Sequence, residues 1–186
     1  TPVIGGVGIV SNVKRIINHR IKNENNILLL IGKTFGHLEQ SCYLKENYSI
    51  IEGNPPEVNL LNEKNNGEIV LNLINSNLVY SVHDVSNGGL IVALSEMSIG
   101  SNFGVKINKS KKLRNLAQYF FGEDQGRYIL EIDKKNLIKA EKILAKNNIY
   151  YENIGITQKD YFEVESEMKL DINDLYKINN QWYNNY

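Results

Sequence analysis

Ile27-Leu28-Leu29-Leu30-Ile31 is a run of five aliphatic residues with no polar position among them, closed by Gly32. Strict alternation would mark a strand with one face in water. This run leaves neither face for water and suits a short buried strand. Such a strand requires partners along its edges and apolar cover over its side chains. The composition allows it, since 42% of the 186 residues are hydrophobic and 23% are charged, ordinary values for a globular chain.

Periodicity predicts the remaining elements. Val3–Val10 reads as a Gly-containing strand and 36–46 as a helix. Asn54-Pro55-Pro56 is a rigid turn ahead of a helix over 57–75, weakened by Gly67. Strands are expected at 78–83, 103–107, 127–132, 150–156 and 161–165. Helices are expected at 88–99, 112–120, 135–147 and 172–183, the third with Leu137, Ile138, Ile143 and Leu144 on one face. No internal repeat or long linker divides the series. The prediction is one α/β domain over 1–186, a mixed sheet with covering helices.

Other features narrow the class. Lys+Arg and Asp+Glu both number 21, so no global positive field exists to hold nucleic acid. The single cysteine, Cys42, cannot form an internal disulfide, which predicts a reducing cytosol. No apolar run approaches the roughly 20 residues of a membrane span, and no signal peptide opens the chain. The chain opens on Thr1 and enters the expected strand at once, which predicts a piece excised from a longer polypeptide. Asn clusters at 23–26, 62–66 and 179–185 fit an AT-rich genome better than a prion-like segment, because they are scattered among a normal apolar set.

Several familiar patterns fail on inspection. Gly32-Lys33-Thr34 follows an apolar strand as a P-loop ending does, but the first glycine of that loop would fall at Ile27. Gly5-Gly6-Val7-Gly8 has Ser11 where the dinucleotide fingerprint needs its last glycine. His19, His37 and His83 lack zinc-ligand spacing with one another or with Cys42.

Two segments do carry chemistry. In Ser81-Val82-His83-Asp84-Val85-Ser86-Asn87-Gly88-Gly89-Leu90 an apolar strand ends at a carboxylate, turns, and opens a helix. Ser86 or Asn87 can cap that helix, Gly88 and Gly89 leave N–H groups open to a phosphate, and Asp84 can hold a divalent metal beside it. The same pattern is also satisfied by an ordinary capped strand–turn–helix. In Phe120-Phe121-Gly122-Glu123-Asp124-Gln125-Gly126-Arg127-Tyr128 two aromatics anchor a turn bearing two carboxylates, an amide and a guanidinium. That set can hydrogen-bond a ribose, amide or phosphate ligand, or form a solvated turn with an ion pair of small value.

These two segments occur in order with Thr1–Gly8, Gly32–Ser41 and Gly53–Pro56. Together they resemble the aminoimidazole ribonucleotide synthetase-related ATP enzymes, and among them the last domain of the phosphoribosylformylglycinamidine synthases. The resemblance runs the length of the chain. It implies a three-layer α/β/α fold, α+β in character, as the C-terminal domain of the second of two domain pairs. It implies an ATP- and Mg²⁺-dependent ligase acting on formylglycinamide ribonucleotide, alongside upstream domains, a glutaminase subunit and a small accessory subunit. The main catalytic groups would lie upstream of Thr1, leaving this piece inactive alone. The matching turn in related kinases implies Asp84 for metal and Ser86 for phosphate, with Asn87 where those kinases carry Asp. Gly88 and Gly89 complete that phosphate turn. Glu123, Asp124, Gln125 and Arg127 correspond to a substrate-binding turn. The alternatives are a non-catalytic nucleotide-binding or docking module, and another member of the superfamily such as a thiamine-phosphate kinase or selenophosphate synthetase.

Overall fold

A computed structural model describes residues 5–10, 12–110, 112–113 and 115–184. The aliphatic run forms β1 (Ile27–Ile31), and all five residues are buried. It lies third in a seven-stranded sheet of order β2-β4-β1-β5-β3-β6-β7. The other strands are β2 (Ser81–Asp84), β3 (Phe103–Ile107), β4 (Tyr128–Ile132), β5 (Tyr151–Lys159), β6 (Tyr161–Val164) and β7 (Met168–Asp171). All neighbours are antiparallel except β3 and β6, so the sheet is mixed, as expected.

β1 shows why helices must lie on both faces. Leu28 and Leu30 join one core with α3 (Gly89–Ile99) and α4 (Leu116–Phe121), through Leu90, Leu94, Met97 and Phe120. Ile27, Leu29 and Ile31 join a second core with α2 (Leu60–Asn75) and α5 (Lys134–Lys146), through Leu73, Ala140 and Leu144. Two cores separated by one sheet make a three-layer α/β/α arrangement. α6 (Ile172–Asn184) sends Leu175 to the first core. Register slips between Leu28 and Leu29 against β5, where Gly155 adopts φ 152° and a Cβ would strike the Lys106 carbonyl oxygen.

Several expectations shift. Of the strand expected over Val3–Val10, Val3 and Ile4 lie outside the described residues, and 5–10 form no strand and are exposed. The β2 edge instead takes up the chain further on, where the Val82 N–H donates to the Asn18 carbonyl at 3.2 Å. The helix expected over 36–46 begins only at Cys42 and ends at Tyr48 (α1), because Gly36 (φ 81°) and Gln40 (φ 56°) take left-handed conformations that no helix accepts. Ser41 caps it at the Leu44 N–H. The helix expected over 112–120 is confined to α4, capped by Asn115, and Arg114 lies outside the described residues. β7 was not expected, being short and half polar.

One buried charge ties the layers together. Glu131 on β4 is fully buried, and its carboxylate accepts from the Lys22 and Asn23 N–H groups (both 3.0 Å), Asn26 Nδ2 (2.7 Å) and Ser81 Oγ (2.7 Å). Four donors on one buried carboxylate replace its lost hydration and fix the approach to β1 against β4 and β2. Glu131→Ala strands all four donors. We expect a loss of about 3 kcal/mol or more. Thermal denaturation followed by circular dichroism should show a melting point lower by roughly 10 °C; a drop within a degree or two would refute this role.

Candidate functional site

β2 and β4 are antiparallel, with Asp84 opposite Tyr128. The end of β2 therefore lies beside the start of β4, and the Val85 N–H donates to the Arg127 carbonyl at 2.9 Å. The two segments singled out in the sequence thus lie side by side.

Glu123 is the hinge between them. Its Oε1 accepts from the Gly88 N–H and from the Cys42 N–H, both at 2.8 Å. One carboxylate thereby neutralises the opening of α3 and of α1, as a bound anion would. The Gly89 N–H donates to the Ser86 carbonyl at 3.1 Å. Gly89 has φ 71°, and a Cβ there would come within 2.7 Å of the Gly122 carbonyl oxygen. The glycine pair is thus explained by the close passage of residues 120–122 as well as by left-handed backbone. Gly88 and Gly89 are buried, while Asp84, Ser86 and Asn87 are exposed.

Asp124 and Arg127 are turned inward. The Asp124 carboxylate accepts from three consecutive N–H groups, those of Phe35 (3.0 Å), Gly36 (2.9 Å) and His37 (3.3 Å). The Arg127 side chain has no solvent exposure; Nε donates to the Asp124 carbonyl (3.0 Å), Nη2 to the Gly122 carbonyl (2.6 Å) and Nη1 to Thr34 Oγ1 (3.1 Å). Nη1 also lies 4.0 Å from Asp124 Oδ2. Burial pushes the guanidinium pKa down, opposed by the neighbouring Asp124 charge. Gln125 alone of the four is exposed, its Nε2 donating to the Glu123 carbonyl at 3.3 Å.

Beside this turn lies a cleft of about 930 Å³, with Phe35, His37, Asn62, Glu63, Gln125 and Tyr150 among its walls. Asp84, Ser86 and Asn87 lie outside it. One wall is tied together by contacts that no local sequence signal reveals. Glu39 Oε2 accepts the Asn54 N–H (2.7 Å), Gln40 Nε2 donates to the Gly53 carbonyl (2.6 Å), and His37 Nε2 lies 2.9 Å from the Asn54 carbonyl.

Metal-binding capacity is limited. Among the described residues no three His, Cys, Asp or Glu side chains form a group able to hold a metal ion. Asp84 stands 3.3 Å from His83 Nδ1, whose Nε2 lies 2.8 Å from Glu96 Oε2. The exposed Asp84 carboxylate could supply one ligand to a Mg²⁺ held otherwise by phosphate and water, the usual manner of that ion. Among the described residues no helix is long and apolar enough to cross a membrane.

Comparison with known proteins agrees with this architecture. Residues 23–166 match the family described as AIR synthase related protein, C-terminal domain. The chain belongs to that family. Over all 186 residues it is 46% identical to the phosphoribosylformylglycinamidine synthase subunit PurL of Pelagibacter ubique, and it spans 26% of that relative. It therefore covers about a quarter of the length of the curated relative it matches. Two solved structures share the fold. One is Thermotoga maritima PurL complexed with FGAR, with TM-score 0.71 and 13% identity over 88% of this chain and 30% of that one. The other is the same protein complexed with ATP, with TM-score 0.65 and 15% identity over 88% and 28%.

The Glu123–Cys42 contact is measurable. Burial, and then the Glu123 carboxylate, push the Cys42 thiol above its ordinary range. The folded chain holds that proton to higher pH than the unfolded one, so this contribution to stability falls as pH rises through the ordinary thiol range. Glu123→Gln removes the negative charge and should move the midpoint of iodoacetamide reactivity to lower pH; a midpoint that stays in place would show that the carboxylate does not govern the thiol.

Proposed function

We propose that this chain works as the C-terminal domain of the second pair in a phosphoribosylformylglycinamidine synthase. The supporting observation is the 46% identity to the Pelagibacter ubique relative over all 186 residues, a span that takes in both turns. The full enzyme would convert formylglycinamide ribonucleotide, glutamine, ATP and water to formylglycinamidine ribonucleotide, glutamate, ADP and phosphate. Its setting would be cytosolic, with a glutaminase subunit and a small accessory subunit as partners. ATP would activate the amide oxygen, and ammonia would displace the phosphoryl group.

Within this reading the residues divide their work. Asp84 would ligate Mg²⁺, which on binding ATP would offset phosphate charge. Ser86 and Asn87 offer exposed hydroxyl and amide groups to phosphate oxygens, and Gly88 and Gly89 hold the turn that presents them. Asn87 brings no charge, so Asp84 is the sole carboxylate that the turn itself contributes. Glu123, Asp124 and Arg127 set the substrate turn by their internal bonds, and Gln125 is its one exposed member.

A second reading, a nucleotide-binding or docking module without a part in turnover, draws on that same internal commitment of Gly88, Glu123, Asp124 and Arg127. Replacing the corresponding quarter of the Pelagibacter ubique enzyme with this chain tests the family function. Ammonia-dependent synthesis should persist, and a folded but inactive hybrid would overturn the proposal. In that hybrid, Asp84→Asn should lower kcat by about 100-fold if the carboxylate holds a working metal. Unchanged kcat with impaired assembly would favour the module.

A further inference from the structure

A smaller pocket of about 250 Å³ opens where the chain leaves β1, between Lys33-Thr34-Phe35, Ser110, Lys112 and Leu113, Tyr119 of α4, and Tyr150 with Glu152. It meets the large cleft at Lys33, Phe35 and Tyr150 but shares no residue with the 84–89 turn. We propose that it is a binding site for a phosphate-sized anion, a site that does not depend on the family function proposed above.

The donors carry the inference. Tyr119 is 2% exposed, and among the described residues its hydroxyl has no hydrogen-bond partner although it lines the pocket. No buried side-chain polar atom of the described residues lacks a partner, so this hydroxyl opens on the pocket, where water or a ligand accepts its proton. Thr34 Oγ1 already accepts from Arg127 Nη1, so its own proton is free to point to another acceptor. Ser110 Oγ likewise accepts from the Lys112 and Leu113 N–H groups and keeps its proton to donate.

The charge balance favours an anion. Lys33 is exposed, and among the described residues its ammonium meets the Tyr150 ring alone, 5.8 Å from the centroid. Lys112 donates to Tyr150 Oη at 2.6 Å and lies over the same ring. The one carboxylate present, Glu152, accepts the Tyr150 hydroxyl proton and lies 3.9 Å from Lys112. Two ammonium groups thus face one carboxylate that is already shared. Burial raises the Tyr119 phenol pKa, so it remains a donor at neutral pH.

Size sets the ligand. At about 30 Å³ per water the space holds roughly eight waters, enough for one phosphoryl group and part of its hydration but not for a nucleotide. The phosphoryl group could come free or as the end of a sugar phosphate whose body extends past Lys33 into the amide-lined cleft.

Isothermal titration of the 186-residue chain in chloride buffer would decide the matter, with inorganic phosphate and ribose 5-phosphate as separate probes. Saturable one-to-one binding is expected for at least one of them. Tyr119→Phe should weaken it about tenfold, as the loss of a hydrogen bond to a charged group does. Lys33→Ala, a surface change that leaves the core alone, should weaken it by a similar factor of about ten. Asp84→Asn should leave it unchanged. Tighter binding of ribose 5-phosphate would support the extended ligand, and equal binding would support free phosphate. Absence of saturable binding for both probes, or binding that Lys33→Ala leaves intact, would overturn the site.

Discussion

The buried pair Asp124–Arg127 is the constraint on which the functional end of this domain depends. Arg127 has no exposed side-chain surface, and Asp124 is 5% exposed, so both charges are almost wholly removed from water. Arg127 Nη1 and Asp124 Oδ2 stand 4.0 Å apart, which is a poor substitute for hydration by itself. What makes the pair tolerable is the backbone. Three N–H groups surround the carboxylate, and two carbonyls and a hydroxyl surround the guanidinium. Removing either partner leaves the other buried without its counter-charge, a situation that costs about 3 to 5 kcal/mol. The loop after β1 and the turn before β4 are therefore held as one body.

Glu123 extends that body to the helices. Its single oxygen receives N–H groups from Cys42 and Gly88, so α1 and α3 start from a common point. The turn after β2 is thereby positioned by a residue about forty places later in the chain. Any ligand at Asp84–Asn87 would bind a surface whose shape is set from behind by Glu123, Asp124 and Arg127.

The layered fold was largely legible because it follows from local patterns. Five solid aliphatics at Ile27–Ile31, the 3.6-residue spacing in α5 and the strand at Phe103–Ile107 each declare their state without help from distant residues. The errors arose where distant or conformational effects decide. Left-handed Gly36 and Gln40 delay α1, and no strand partners residues 5–10. The two candidate turns were legible as segments, but the internal bonds that occupy them were not. Asp84, Ser86 and Asn87 do face outward, whereas a buried carboxylate such as Asp124 looks the same in sequence as a ligand-binding one. Its partners, the N–H groups of residues 35–37, lie 87 to 89 positions away and carry no side-chain signature. Tyr119 was invisible for a related reason, since an aromatic on a short apolar helix reads as core until the fold shows it lining a pocket.

These commitments also bear on electrostatics at the turn. The opening of α3 would attract a phosphate in isolation, but Glu123 already occupies the Gly88 N–H, and Asp84 adds a second carboxylate beside it. A polyphosphate approaching Ser86 and Asn87 therefore meets negative charge rather than an empty helix terminus. Coulomb repulsion between such groups a few ångströms apart is several kcal/mol at the effective dielectric of a protein surface, on the order of 4 kcal/mol at 4 Å. Under the proposed function, a divalent cation shared between Asp84 and the phosphates would reverse the sign of that interaction, and the turn would then take metal-bound nucleotide rather than the bare anion. The small pocket around Tyr119 is built in the opposite sense. Its Thr34 and Ser110 hydroxyls keep their protons to donate and two ammonium groups face one carboxylate, so an anion there would need no metal. Arg127 reaches both regions, since Nη1 holds Thr34 Oγ1 at the pocket and Nη2 holds the Gly122 carbonyl, against which Gly89 packs.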